Sequence, residues 1–183
     1  MDTGIGIDGG QSGLRLRLVS SRGDADTGVI DAPTVSHTDH DLIDAYVASI
    51  TASWGSGRTP VSRVVAGLSA LPPSSGERDV LGRLLCDITG AGETWLCDDS
   101  ITAHRAAFAG GPGVVLAVGT GVACLAIDST GRLHHVDGAG YLIDDDGSGY
   151  SIGGAGLRAA VRFHDGRGPA TRLLARACDT FHC

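Results

Sequence analysis

The residues best suited to chemistry near the N-terminus are Asp8 and the glycines that follow it. The stretch Ile5–Leu18 reads I-G-I-D-G-G-Q-S-G-L-R-L-R-L. Two runs of alternating apolar residues flank a tip crowded by Gly9, Gly10 and Gly13. Alternation predicts strands, and the glycines predict a tight hairpin whose backbone can take positive φ. Such a tip offers several backbone N–H groups to an anion. An acid at its edge makes chemical sense if a divalent cation lies between the two. The stretch then reads as a loop for the phosphates of a magnesium nucleotide. The competing reading is an ordinary hairpin with a solvated Asp8, and a short glycine motif alone does not separate them.

Other candidates lie further along. Gly119-Thr120-Gly121 is a second glycine-tipped turn, with a hydroxyl donor on Thr120. Asp98 and Asp99 follow a short apolar strand pattern. An Asp at the carboxyl end of a strand opens onto the crevice of an α/β sheet, whereas an Asp before a helix caps it; one residue could do each job. The acidic run Asp144–Asp146 resembles a calcium loop only superficially. With Asp144 at position one, Gly149 falls at six, but Ala155 stands where a bidentate Glu is needed. His37-x-x-His40 has no cysteine partner nearby and reads as loop and helix entry. Cys178, His182 and Cys183 read as a frayed tail.

Composition narrows the chemistry. The chain of 183 residues has no lysine, and all 14 basic residues are Arg. That excludes a P-loop lysine, a Schiff-base lysine and a kinase-type strand lysine. Any phosphate must be held by backbone N–H groups, hydroxyls, Arg or metal. The net charge of −7 argues against a nucleic-acid or anionic-membrane surface. Five cysteines, none spaced C-x-x-C, suit a reducing cytosol. No signal peptide and no membrane-spanning run is apparent in the sequence. With 29 glycines and 4% aromatics, the core is expected to be aliphatic with many tight turns.

The elements that must position these residues follow from periodicity. Strands are predicted at Gly4–Asp8, Leu14–Val19 and, briefly, Val29–Ile30. Thr38 or Asp39 is expected to cap a helix to about Trp54, stopped by Gly55. Val61–Leu68 reads as a buried strand ending in Ser69. Ser74-x-x-Glu77 is a capping box for a helix to about Thr89, ended by Gly90. Thr94–Cys97 is a strand, and a helix runs from Asp98 or Asp99 to Gly110-Gly111. The order is βββαβαβα. The pattern then restarts with strands at Val114–Val118, Val122–Asp128 and Leu133–Val136. The two glycine-tipped hairpins are about 110 residues apart, which suggests an internal repeat. After an acidic loop, helices are expected over Tyr150–Phe163 and to about Asp179. The expected boundary is near Gly111, giving units 1–111 and 112–183, the second unfinished relative to the first.

The pieces G-I-D-G-G-Q-S, C-D-D-S-I-T-A, V-G-T-G and G-A-G-Y-L-I-D-D-D-G-S-G-Y-S-I-G together resemble a known family. It is the N-acetylglucosamine kinase branch of the BadF/BadG/BcrA/BcrD-type ATPases, in the actin, sugar kinase and Hsp70 superfamily. The match covers nearly the whole chain but about the first three-fifths of a usual member. Ala139, Asp144 and Asp146 depart from the tryptophan, glycine and glutamate usual at those positions. The resemblance implies a ribonuclease H-like (actin-like ATPase) α/β domain followed by an incomplete second copy. It implies an ATP-dependent, cytoplasmic kinase that phosphorylates an amino sugar, N-acetylglucosamine or glucosamine, with Mg2+. Asp8 would orient the metal, and Gly9, Gly10, Gln11 and Ser12 would face the phosphates. Gly119, Thr120 and Gly121 would close on them as a second phosphate turn. Asp99, with Ala103 four residues on, would be the catalytic base. Asp98, Gly140 and Asp145 would contact the sugar; Ser69, by its place after a buried strand, reads either as a turn serine or as a further sugar contact. The partners implied are a small-molecule sugar, with no nucleic acid and no membrane; a homodimer is one option for assembly. The adenosine pocket would lie beyond Cys183, so the chain alone is expected to bind ATP weakly. Two other readings are an ATPase activator of a 2-hydroxyacyl-CoA dehydratase and a non-catalytic truncated remnant.

Overall fold

The computed structural model describes residues 3–10, 13–20, 29–35, 41–55 and 58–183. Gln11, Ser12, His37, Thr38, Asp39 and His40 lie outside the described residues. The chain divides into two compact units, Met1–Gly111 and Pro112–Cys183.

The first unit follows the expected βββαβαβα order: β1 (Thr3–Gly10), β2 (Gly13–Ser20), β3 (Val29–Ala32), α1 (Leu42–Trp54), β4 (Arg63–Leu68), α2 (Ser75–Thr89), β5 (Glu93–Cys97) and α3 (Asp99–Phe108). The sheet order is β3-β2-β1-β4-β5. β1, β2 and β3 form an antiparallel meander, whereas β4 runs parallel to β1 and β5 parallel to β4. The alternation that suggested strands also sorts the faces. Ile5, Ile7, Leu14, Leu16, Val64, Ala66 and Leu68 point to one side, where they bury against Tyr46, Ile50 and Trp54 of α1 and Leu81 and Leu85 of α2. Gly9 lies on this face at its narrow end, where a Cβ would come within 2.8 Å of Leu68 and 2.9 Å of Leu14.

The helix signals need one correction. Asp41, not Thr38 or Asp39, caps α1: its carboxylate accepts from Ile43 N at 3.0 Å and Asp44 N at 3.1 Å. It stands directly before the first apolar residue of the helix and satisfies two donors that the first turn leaves open. Gly55 closes α1 at φ 71°, and the Ser74–Glu77 capping box opens α2 as expected. β4 begins two residues later than predicted. Val61 is buried, but its N–H goes to Thr89 O at the end of α2 and not into the sheet ladder.

The opposite face of the sheet carries α3. The ladder sets Asp8, Gly67 and Cys97 side by side on β1, β4 and β5. Thr102 of α3 sits on the bare Cα of Gly67: a Cβ there would meet Thr102 Oγ1 at 2.2 Å and Cγ2 at 2.8 Å. A glycine inside an apolar strand pattern marks such a close approach, and here it sets how near α3 lies to the sheet.

The second unit opens with another antiparallel meander, β6 (Gly113–Val118), β7 (Val122–Ile127) and β8 (Leu133–Val136). It continues through a loop to α4 (Gly149–His164) and α5 (Leu173–Phe181). Its buried apolar residues are Val122, Leu125 and Ala160. Val114, Leu116 and Val118, alternating along β6, are all about 60% exposed. Among the described residues no strand pairs with β6 on the side away from β7.

Gly67→Ala should lower the stability of the first unit by about 1–3 kcal/mol through overpacking. Adding Thr102→Ala should recover most of that loss, which urea denaturation of the single and double variants will read. Equal losses in the two backgrounds would show that the Thr102 contact does not limit the approach of α3.

Candidate active site

Asp8 stands near the carboxyl end of β1, exposed, and among the described residues its ion pair is a 3.6 Å one to the equally exposed Arg15 on the neighbouring strand. Such a pair is weak and easily displaced. A single accessible carboxylate beside a glycine-rich tip fits magnesium, which keeps most of its waters and needs few protein ligands. Gly9 and Gly10 complete β1 at that tip. Of the phosphate loop expected at Gly9–Ser12, Gln11 and Ser12 lie outside the described residues.

Of the two acids Asp98 and Asp99, the structure gives the capping task to Asp98. Asp98 is the N-cap of α3, accepting from Ser100 N at 2.9 Å and from Ser100 Oγ. Asp99 opens the first turn and is half-buried. Burial, foremost, and the charges of Asp98 and then Asp8 push its carboxyl above the usual range, while the Ser100 N–H pulls the other way. Asp8 and Asp99 both stand at the carboxyl ends of their strands, Asp8 on β1 and Asp99 just after β5, and the Asp8 charge adds a lesser part to the Asp99 shift. Cys97, on the strand leading into α3, is likewise pushed up by burial and by the two neighbouring acids.

Ser69 follows β4 and belongs to the same corner. Its N–H donates to Gly9 O at 2.8 Å, tying it to the β1 tip. Its Oγ is shielded from solvent and has no hydrogen-bond partner among the described residues. A buried hydroxyl left open costs about 1–3 kcal/mol, and a ligand hydroxyl would relieve it. A separate groove of about 740 Å³ between α2 and β5, lined by Arg78, Asp79, Arg83 and Glu93 among others, contains none of these residues.

The candidates in the second unit form their own cluster. Gly119–Gly121 turns β6 into β7, closed by Gly119 N donating to Gly121 O at 2.9 Å. The start of α4 leans on this turn: Gly149 N donates to Gly119 O at 2.8 Å and Tyr150 N to Thr120 O at 3.1 Å. Asp145, only 7% exposed, accepts from Val122 N at 2.7 Å. Gly140, at φ 92°, carries the bend of the loop, where its carbonyl accepts from Asp144 N at 3.0 Å.

Three participants escaped the reading from sequence. Gly67 and Thr102 seat α3, and the signal for them was the glycine interrupting V-V-A-G-L. Asp137 accepts from Asp145 N at 3.1 Å and from Gly138 N at 2.7 Å, which holds its carboxyl below the usual range. An Asp before Gly was its only mark in the sequence.

No protein-family model and no curated protein sequence matches the chain. Its fold does match solved structures. A candidate N-acetylglucosamine kinase from Chromobacterium violaceum is 25% identical with a TM-score of 0.77, over 98% of this chain and 64% of that one. Another from Porphyromonas gingivalis is 17% identical with a TM-score of 0.71, over 96% and 60%. A candidate N-acetylmannosamine kinase from Listeria monocytogenes is 18% identical with a TM-score of 0.54, over 99% and 71%. The chain shares a mixed α/β fold with these sugar kinases and spans less than two thirds of the length of the first two. No helix among the described residues is long and apolar enough to cross a membrane.

The raised carboxyl of Asp99 gives a pH signature. Its carboxyl is held above the usual aspartate range, first by burial, so ionising it opposes folding: the cost is absent below the unfolded value and grows as pH rises through the folded one. Asp99→Asn should therefore raise the urea midpoint relative to the parent at pH 7 and lose that advantage near pH 3. A variant less stable than the parent at pH 7 would contradict this assignment.

Proposed function

We propose that the chain belongs to an ATP-dependent kinase that phosphorylates a hydroxyl of an amino sugar, of the N-acetylglucosamine or glucosamine type. In this reading it is a cytoplasmic member of the N-acetylglucosamine kinase branch of the BadF/BadG/BcrA/BcrD-type ATPases. Residues 1–111 are its first actin-like domain, and 112–183 begin a second. The observation that carries the reading is the half-buried Asp99 opening α3 directly after β5, at the same end of the sheet where exposed Asp8 stands on β1. The fold likeness to sugar kinases supports it.

Each residue then has a task. Magnesium-bound ATP supplies the phosphoryl group and offsets its charge. Asp8 would hold the hydrated cation, and the phosphates would fall to the glycine-rich stretch Gly9–Ser12, in a chain with no lysine to bind them. Gly119–Gly121 supplies the second phosphate turn. Asp99 accepts the proton of the attacking sugar hydroxyl; a carboxyl raised above its ordinary value is the better base at neutral pH. Ser69 Oγ, unpartnered and shielded, bonds a sugar hydroxyl, and Asp98 at the start of α3 contacts the same substrate. Asp145 has Oδ2 left for sugar once Oδ1 is taken by Val122 N.

The test is phosphate transfer from radiolabelled ATP to N-acetylglucosamine or glucosamine by the purified chain, with binding of each ligand measured alongside. Transfer should be slow but measurable. Asp99→Asn should cut it about 10²–10⁴-fold and leave sugar and ATP affinities within about twofold. An unchanged rate would remove Asp99 as the base, and no sugar phosphate above background with the parent chain would sink the kinase reading for this polypeptide.

A further inference from the structure

The buried carboxylate of Asp145 has a second task besides the sugar contact. We infer that Asp145 is a positioning residue for the Gly119–Gly121 turn, and that residue 121 is glycine because that carboxylate occupies the space a side chain would need. The consequence for phosphate binding rests on the kinase reading; the brace itself does not.

The observations converge on one small volume. Asp145 Oδ1 accepts from Val122 N, the first amide after the turn, at 2.7 Å. A Cβ built on Gly121 would stand 3.0 Å from Asp145 Oδ1, 3.1 Å from Oδ2 and 3.2 Å from Cγ. That is tighter than carbon normally packs against oxygen, and Asp145 has little room to retreat. Its backbone is at φ 67°, its N–H donates to Asp137 Oδ1, and its carbonyl accepts from Ser148 N at 3.1 Å. A non-glycine residue in the left-handed region persists only where its surroundings hold it there.

The chemistry of the brace is directional. Gly119 and Gly121 form the hydrogen-bonded pair at the turn, so the next pair, Val118 with Val122, is a non-bonded one and the Val122 N–H points away from β6. Here a carboxylate takes it. The turn carbonyls of Gly119 and Thr120 are meanwhile occupied by the first amides of α4. Carbonyls drawn toward the helix leave the N–H groups of Thr120 and Gly121 unspent among the described residues. Those are the donors an anion needs. The loop expected to contact sugar and the turn expected to contact phosphate are thus bonded into one piece.

Amide hydrogen exchange of the whole chain, resolved by NMR, tests this. Asp145→Ala should speed exchange at Val122 about ten- to hundredfold, as expected for losing a bond to a charged acceptor, while Leu125 keeps its protection. Asp145→Asn, whose carbonyl oxygen can still accept, should restore most of it. Gly121→Ala should disturb the amides of Thr120 and Val122 in the parent and much less in the Asp145→Ala background. Unchanged Val122 exchange in Asp145→Ala would overturn the brace; so would equal effects of Gly121→Ala in both backgrounds. Should Asp145→Ala unfold the second unit, the Asn variant and the Gly121→Ala shifts decide alone. Adding MgATP to the parent separates the two ideas: a brace that responds to mutation, with turn amides that ignore MgATP, upholds the inference and counts against the kinase reading.

Discussion

The contact between Thr102 and the bare Cα of Gly67 governs the first unit's site. A sheet face normally keeps a helix at the distance its side chains dictate. Removing one side chain in the middle of β4 lets α3 settle close, with a threonine in the gap. Because α3 begins only two residues after β5, its depth fixes where Asp98 and Asp99 emerge. One acid is spent on capping the helix. The other is left half-buried within reach of the Asp8 charge, in a row that the ladder defines from Asp8 through Gly67 to Cys97. The raised carboxyl of Asp99 follows first from its burial and then from the charge of Asp98.

The second unit solves its problem differently. Its glycine turn is held from behind, by the first amides of α4 on its carbonyls and by Asp145 on the next amide. Helix N-terminal N–H groups are often spent on anions; here two of them are spent on the turn. The same unit exposes Val114, Leu116 and Val118 along β6. Apolar surface of that kind, beside a strand edge with no partner among the described residues, favours association.

Much of this was legible in the sequence, and what was not has a physical reason. Alternating residues in I-G-I-D-G-G and L-R-L-R-L give β1 and β2, and the capping box at Ser74 gives the start of α2. Such signals are local, with partners a few residues apart. The misplaced cap of α1 was a choice among neighbouring acids, decided by which one meets two amides at once. Gly67 with Thr102, and Asp145 with Val122 and Gly121, are contacts across tens of residues. A sequence shows the glycines but not what fills the space they leave. The buried place of Asp145 was hidden for the same reason: among three consecutive acids, only the fold distinguishes the one turned inward from its solvated neighbours.

The central claim is that Asp8 and Asp99 form one site. Titration of Asp99 by carboxyl carbon NMR in the parent and in Asp8→Asn tests it most directly. The account predicts that Asp99 titrates above an ordinary aspartate in the parent, chiefly through burial and Asp98, and moves down by a smaller step when the Asp8 charge is removed. An Asp99 titration that is unchanged by Asp8→Asn would contradict it.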